Sequence, residues 1–317
     1  MNNETQLYNK SIKVEKISAT ASAILAAVIA LSYFFALRFD FDYSIGHFER
    51  GSALFYILVG AIIAAVAIPA GVAIYSKGKA SITALPAPSG TPVFLAVFSA
   101  AMAIFAFSAA IPDISKHVIM SKLAMIAVFG LIVIALALIT TAIPKTNTSA
   151  IAQIALALAA VAMNVHILAS YFDQTLPLNS PVRYVTMLAE LCVMFFLLSE
   201  ARLAFGTKSI GGREIAHRAS FRFFVFANNI AALSLGFSVG ALAHELIPGG
   251  THTFTANHPS VLRLAMYASL GVLALVRAYS IEKISSEYIP CTDETDEEAK
   301  PTEPADTTPS PDVTDEN

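Results

Sequence analysis

Polar and apolar residues in this chain alternate neither on the period of a strand nor on that of a surface helix. They fall in blocks. Predominantly apolar runs cover residues 17–37, 52–75, 92–111, 120–143, 149–171, 182–205, 221–243 and 260–279, separated by short polar segments. A helix crossing the hydrocarbon of a bilayer needs about 20 such residues, so each run is long enough for one span. Backbone N–H and C=O groups in lipid must be paired within the segment itself, which a single run of this length achieves only as an α-helix. The ten-residue alternating pattern of a membrane β-barrel is missing. The pattern therefore predicts an all-α fold: a polytopic bundle of about eight transmembrane helices.

Three segments follow from these runs. Residues 1–16 form a polar leader with Lys10, Lys13 and Lys16, residues 17–279 the eight-helix domain, and residues 280–317 a terminal segment whose acidic tail starts at about residue 291. The leader resembles the basic start of a signal peptide, but the apolar run after it is about twice the usual core length, which predicts an uncleaved first helix. With the N-terminus inside, fourteen Lys and Arg residues fall in cytoplasmic segments and six on the other side: Arg38, Arg50, Lys116, Lys122, Arg183 and Arg263. That asymmetry predicts an N-in, C-in orientation. The connection at 202–222 is the most basic, and anionic lipid headgroups are its expected partner.

Composition sharpens the picture. Of 317 residues, 56% are hydrophobic and only 14% charged, and the mean hydropathy is +0.65, which excludes a sizeable water-soluble domain. The formal charge of −3 conceals a split. Residues 1–290 carry 19 basic and 13 acidic side chains, whereas residues 291–317 hold ten Asp or Glu, four Pro and Lys300 as their one basic residue. Such a tail buries too little apolar surface to fold, and it predicts a solvated cytoplasmic extension that could receive a partner. Cys192 and Cys291 lie in unlike surroundings and match no disulfide or metal pattern. There is no P-loop, dinucleotide fingerprint, nucleophile elbow or aromatic-basic nucleic-acid surface, so neither a cofactor nor a nucleic-acid partner is expected.

The string YFDQTLPLNSP at 171–181, followed by LLSEAR at 197–202, resembles uncharacterised multi-pass membrane proteins of clostridial-type bacteria. The resemblance covers roughly the second half of the chain. It implies an architecture and a bacterial inner-membrane setting, and it transfers no activity and no functional residues.

Polar side chains at bilayer depth carry the remaining clues, because a charge at a helix centre costs about 2.5–3.5 kcal/mol and must find a partner inside the bundle. Asn164 and His166 lie roughly 6 and 9 Å above the midpoint of span five and Glu190 roughly 4–5 Å above that of span six, counting about 1.5 Å per residue. These three form a candidate outer cluster, with Glu190 bonded to His166 or Asn164. A second level, nearer the cytoplasm, joins Glu200 and Arg202 to Asn228 and Asn229, and Arg277 lies at similar depth. Six of the seven histidines fall on the outer side. Among them His244, His252 and His258, with Glu245 and Asp173, supply nitrogen and oxygen donors for a metal, although the spacing matches no zinc motif. Gly236 and Gly240 form a G-x-x-x-G that admits close approach of another helix. Pro69 interrupts span two, and no span is clearly broken.

Three functions are compatible with this inventory. The first is a non-catalytic scaffold, sensor or accessory subunit. The second is a secondary transporter built around Glu190, His166 and Asn164, with an inner gate at Glu200, Asn228 and Asn229. The third is a metal-dependent membrane enzyme using the outer histidines.

Overall fold

A computed structural model describes residues 3–42, 46–49, 51–75, 83–84, 90–115, 122–143, 150–172, 180–205, 207–210, 213–216, 218–247 and 259–280. Among the described residues eight helices are long and apolar enough to cross a membrane, as the block pattern predicts. In chain order these are α1 (Asn3–Phe39), α2 (Ala53–Tyr75), α3 (Thr91–Ser115), α4 (Lys122–Ala142), α5 (Ala150–Tyr171), α6 (Pro181–Phe205), a seventh span divided into α7 (Arg218–Ile230) and α8 (Ala232–Leu246), and α9 (Val261–Ser280). Helix α1 begins at Asn3 and runs through the polar leader without interruption.

Short strands occupy three connections. Phe41–Asp42 (β1) and His47–Phe48 (β2) pair as a hairpin between α1 and α2, closed by an edge contact of the Phe41 and Phe48 rings at 5.2 Å. At the opposite end Thr83–Ala84 (β3), Thr207–Ile210 (β4) and Arg213–Ala216 (β5) make one sheet in the order β3-β5-β4. The basic connection after α6 is thus a β-hairpin that also recruits a strand from the α2–α3 connection. Period-2 patterning over two to four residues is too short to stand out in a sequence. The two ends are called below the hairpin end and the sheet end.

The helices pack as a closed circuit: α2 on α1, α1 on α8, α8 on α9, α9 on α3, then α4, α5, α6 and α7, which returns to α2. The seventh span lies at the centre, with 78% of its apolar window buried against 22% for α2. One apolar cluster joins α3, α4, α5, α6 and α9 around Leu131, Ile134, Met163, Phe196 and Leu270. Another joins α1, α2, α6 and α8 around Ile29, Tyr33, Leu58, Val193's neighbour Cys192, and Phe237. Large side chains on the circumference, such as Ile63, Phe94, Phe105, Phe129, Ile151 and Val161, are exposed, as lipid-facing residues of a bundle must be.

Close approach between α1 and α8 depends on the glycine pair. A Cβ on Gly236 would lie 2.8 Å from the Ala26 carbonyl oxygen, and one on Gly240 would lie 2.7 Å from that of Ala30. The helix that the G-x-x-x-G admits is therefore α1 of the same chain. Advancing four residues along α8 advances four along α1, so the two run parallel and in register.

Candidate functional site

Glu190 sits on α6, fully buried, toward the hairpin end. Its carboxylate collects donors from two other helices. On α5, Ser170 Oγ donates to Oε2 at 2.9 Å. On α9, Arg263 Nη2 and Tyr267 Oη donate to Oε1 at 2.9 and 3.0 Å. Arg263 Nη2 also faces Tyr267 Oη at 3.1 Å and His166 Nδ1 at 3.2 Å. An arginine nitrogen only donates, so Nδ1 is the acceptor and the imidazole proton sits on Nε2.

Helical periodicity assembles this site. His166 with Ser170, and Arg263 with Tyr267, are i, i+4 pairs, so each pair occupies one face one turn apart. Gly130 on α4 makes room behind the histidine, because a Cβ there would lie 3.1 Å from Ala162 Cβ and 3.6 Å from His166 Nε2. The Arg263 side chain is 26% exposed while Glu190 is 0%, so solvent reaches part of the arginine side chain but not the carboxylate. Beside Tyr267, a cleft bordered by Tyr33, Thr186, Ala189, Phe237 and Ser238 has room on the order of one water molecule.

Sequence reasoning brought Glu190 and His166 to the same level, and the structure joins them through Arg263 rather than directly. Asn164 does not take part. It is exposed on α5, because two residues along a helix turn it about 200° away from His166. Arg263, Tyr267 and Ser170 were missed. Arg263 stands in the first turn of its span and counts as a loop cation in a topology tally, yet its spacing from Tyr267 on an apolar helix was the available signal.

Nearer the sheet end, Glu200 is held by Arg277 through two bonds, Nε to Oε1 at 3.2 Å and Nη2 to Oε2 at 3.0 Å. A forked pair of this kind is the strong geometry for guanidinium and carboxylate. The expected Glu200–Arg202–Asn228–Asn229 network is thus distributed differently. Arg202 lies over the Phe223 ring at 5.5 Å, and the Arg277 guanidinium lies over Phe224 at 5.6 Å. Asn228 and Asn229 donate through Nδ2 to their own helix, at Phe224 O (2.8 Å) and Val225 O (2.9 Å). Their amide oxygens are buried without a hydrogen-bond partner among the described residues.

Among the described residues no three His, Cys, Asp or Glu side chains gather as a metal site. His244 and Glu245 lie half-buried in the last turn of α8, whereas Asp173, His252 and His258 lie outside the described residues, as does the acidic tail. No protein-family model, curated protein or solved structure matches the chain, so the clostridial resemblance identifies no family. What the fold and its eight spans establish is a polytopic helical membrane protein.

Proposed function

We propose that this chain is a non-catalytic scaffold or accessory subunit of a bacterial cytoplasmic membrane, oriented with its sheet end, both termini and the acidic tail inside. One observation carries the reading: both carboxylates of α6 are paired with the two arginines of α9 in interhelical ion pairs, Glu190 with Arg263 and Glu200 with Arg277. Both pairs join the same two parallel helices, one near each end. Charges committed to each other at two depths fix the rotation and register of α6 against α9, which suits a rigid platform.

The cytoplasmic face then carries the function. Its basic β4–β5 connection suits anionic headgroups, and the tail of residues 291–317 suits a basic protein partner. Deleting residues 291–317 is expected to leave the thermal midpoint within about 1 °C, since a solvated tail contributes nothing to packing, and to remove a defined subset of crosslinked neighbours in intact cells. An unchanged set of neighbours would overturn the role given to the tail. A second reading, an ion-coupled permease, is favoured by the amide oxygens of Asn228 and Asn229, buried in the central seventh span without a partner among the described residues, since polar groups at this depth mark ion paths in transporters. Solute flux in vesicles that disappears in Glu190→Gln at unchanged stability would install that reading in place of the scaffold.

A further inference from the structure

The α7–α8 junction at Ala231 coincides with a group of buried oxygen atoms that have no hydrogen-bond partner among the described residues. Asn228 Oδ1 and Asn229 Oδ1 lie in the last turn of α7, and both residues are 0% exposed. On α1, Ser18 Oγ and Ser22 Oγ are equally buried and equally without partners. These serines differ from Ser32 and Ser99. Ser32 and Ser99 turn back to carbonyls of their own helices at 2.8 and 2.7 Å, the usual resting place of a hydroxyl in a span.

The register between the helices brings the two sets to one level. Gly236 meets Ala26 and Gly240 meets Ala30, so seven residues earlier Asn229 faces Ala19, between Ser18 and Ser22. Continuity of packing supports this extrapolation: Ala26 and Ala232 share a buried cluster, and α1 also touches α7. Across the interruption Ala231 N–H donates to Ala227 O at 3.1 Å and Leu235 N–H to Ala231 O at 3.3 Å.

We propose that this nook between α1 and the α7–α8 junction binds one small alkali cation, Na+ before K+, through Asn228 Oδ1, Asn229 Oδ1, Ser18 Oγ and Ser22 Oγ. The donor set decides the class of ligand. Amide and hydroxyl oxygens are hard and neutral, so they suit a monovalent cation. Ca2+ draws on carboxylates, and transition metals on imidazole or thiolate. Close packing around the set favours the smaller ion. This site is independent of the scaffold reading, and a membrane platform and a permease accommodate it equally.

Thermal unfolding of the detergent-solubilised full chain tests the site at fixed ionic strength, with NaCl exchanged stepwise for choline chloride and, in parallel, for KCl. The midpoint is expected to rise saturably with Na+, by about 3 °C or more over choline and by less with K+. Ser18→Ala/Ser22→Ala, which removes only two hydroxyls, is expected to fold and to lose most of that rise; Asn229→Leu is expected to lose it entirely. Equal midpoints in NaCl and choline chloride for the native chain would overturn the proposal and leave water as the occupant. A rise that persists undiminished in the serine variant would overturn it as well, by placing the ion elsewhere.

Discussion

Arg263→Met lowers the stability of the folded bundle by about 3 kcal/mol, the scale on which removing one partner of a buried ion pair leaves the other charge uncompensated. The asymmetry of the pair sets which single change costs more. Glu190 has no exposed surface and the Arg263 side chain has 26%. Without Arg263 the carboxylate keeps two neutral donors, Ser170 and Tyr267, and has no route to water. Without its carboxylate, Arg263 can extend toward the hairpin end and rehydrate its guanidinium, as long cationic side chains near helix ends do. Glu190→Gln is therefore the milder change, by about 1–2 kcal/mol, and it also retains an acceptor oxygen for Tyr267. His166 adds to the asymmetry, because Met at 263 removes the donor that its Nδ1 accepts from. Chemical denaturation in mixed micelles reads both variants. Equal losses, or a larger loss in Glu190→Gln, would mean that the exposed end of Arg263 contributes as much as the buried end of Glu190.

Gly236→Val is expected to cost about 3 kcal/mol or to prevent accumulation in the membrane, the upper range for overpacking a filled interface. The first added atom already fails to fit. It would stand 2.8 Å from the Ala26 carbonyl oxygen and 2.9 Å from Cβ and Cγ2 of Ile29. The nearest of these is backbone, which cannot rotate aside, so α1 would have to move away from α8 as a unit. That movement would also open the edge contact of Tyr33 with Phe237, now at 5.7 Å, and the nook around Asn229 one level below. Gly60 on α2 provides the control, because nothing lies within 4 Å of a Cβ placed there. Gly60→Ala should stabilise by up to about 1 kcal/mol through helix propensity alone. A Gly236→Val protein as stable as the native chain would show that α1 and α8 are not in contact through this face.

Why the spans were legible in the sequence and much of the site was not has a physical explanation. Span number depends on the length of apolar blocks, a property of one segment at a time, and all eight blocks became helices. A polar network depends on which faces of different helices meet, which is a property of several segments together. Depth along the bundle follows from counting residues, so Glu190 and His166 were placed at one level. Rotation about each axis does not follow from depth, so Asn164 was grouped with them although it faces outward. The same limit applies to Asn228 and Asn229, which stand at the right depth for Glu200 but bond their own helix, leaving Glu200 to Arg277. A strict depth count also hides Arg263, whose Cα stands at the edge of its span while its guanidinium reaches inward to Glu190. The interruption at Ala231 left no mark in composition, since neither Gly nor Pro stands there.

The reading of α6 and α9 as helices clamped by mutually neutralising charges rests on coupling between Glu190 and Arg263, and a double-mutant cycle measures that coupling directly. Glu190→Gln, Arg263→Met and the double variant should be compared with the native chain by chemical denaturation and by their crosslinked neighbours. The account predicts that the double variant is no less stable than Arg263→Met alone, because no charge is left unpaired, and that its neighbours are those of the native protein. Losses that simply add, or a double variant that is as stable as the native chain yet has lost its neighbours, would contradict it: the pair would then be two independent groups, or a working site rather than a clasp.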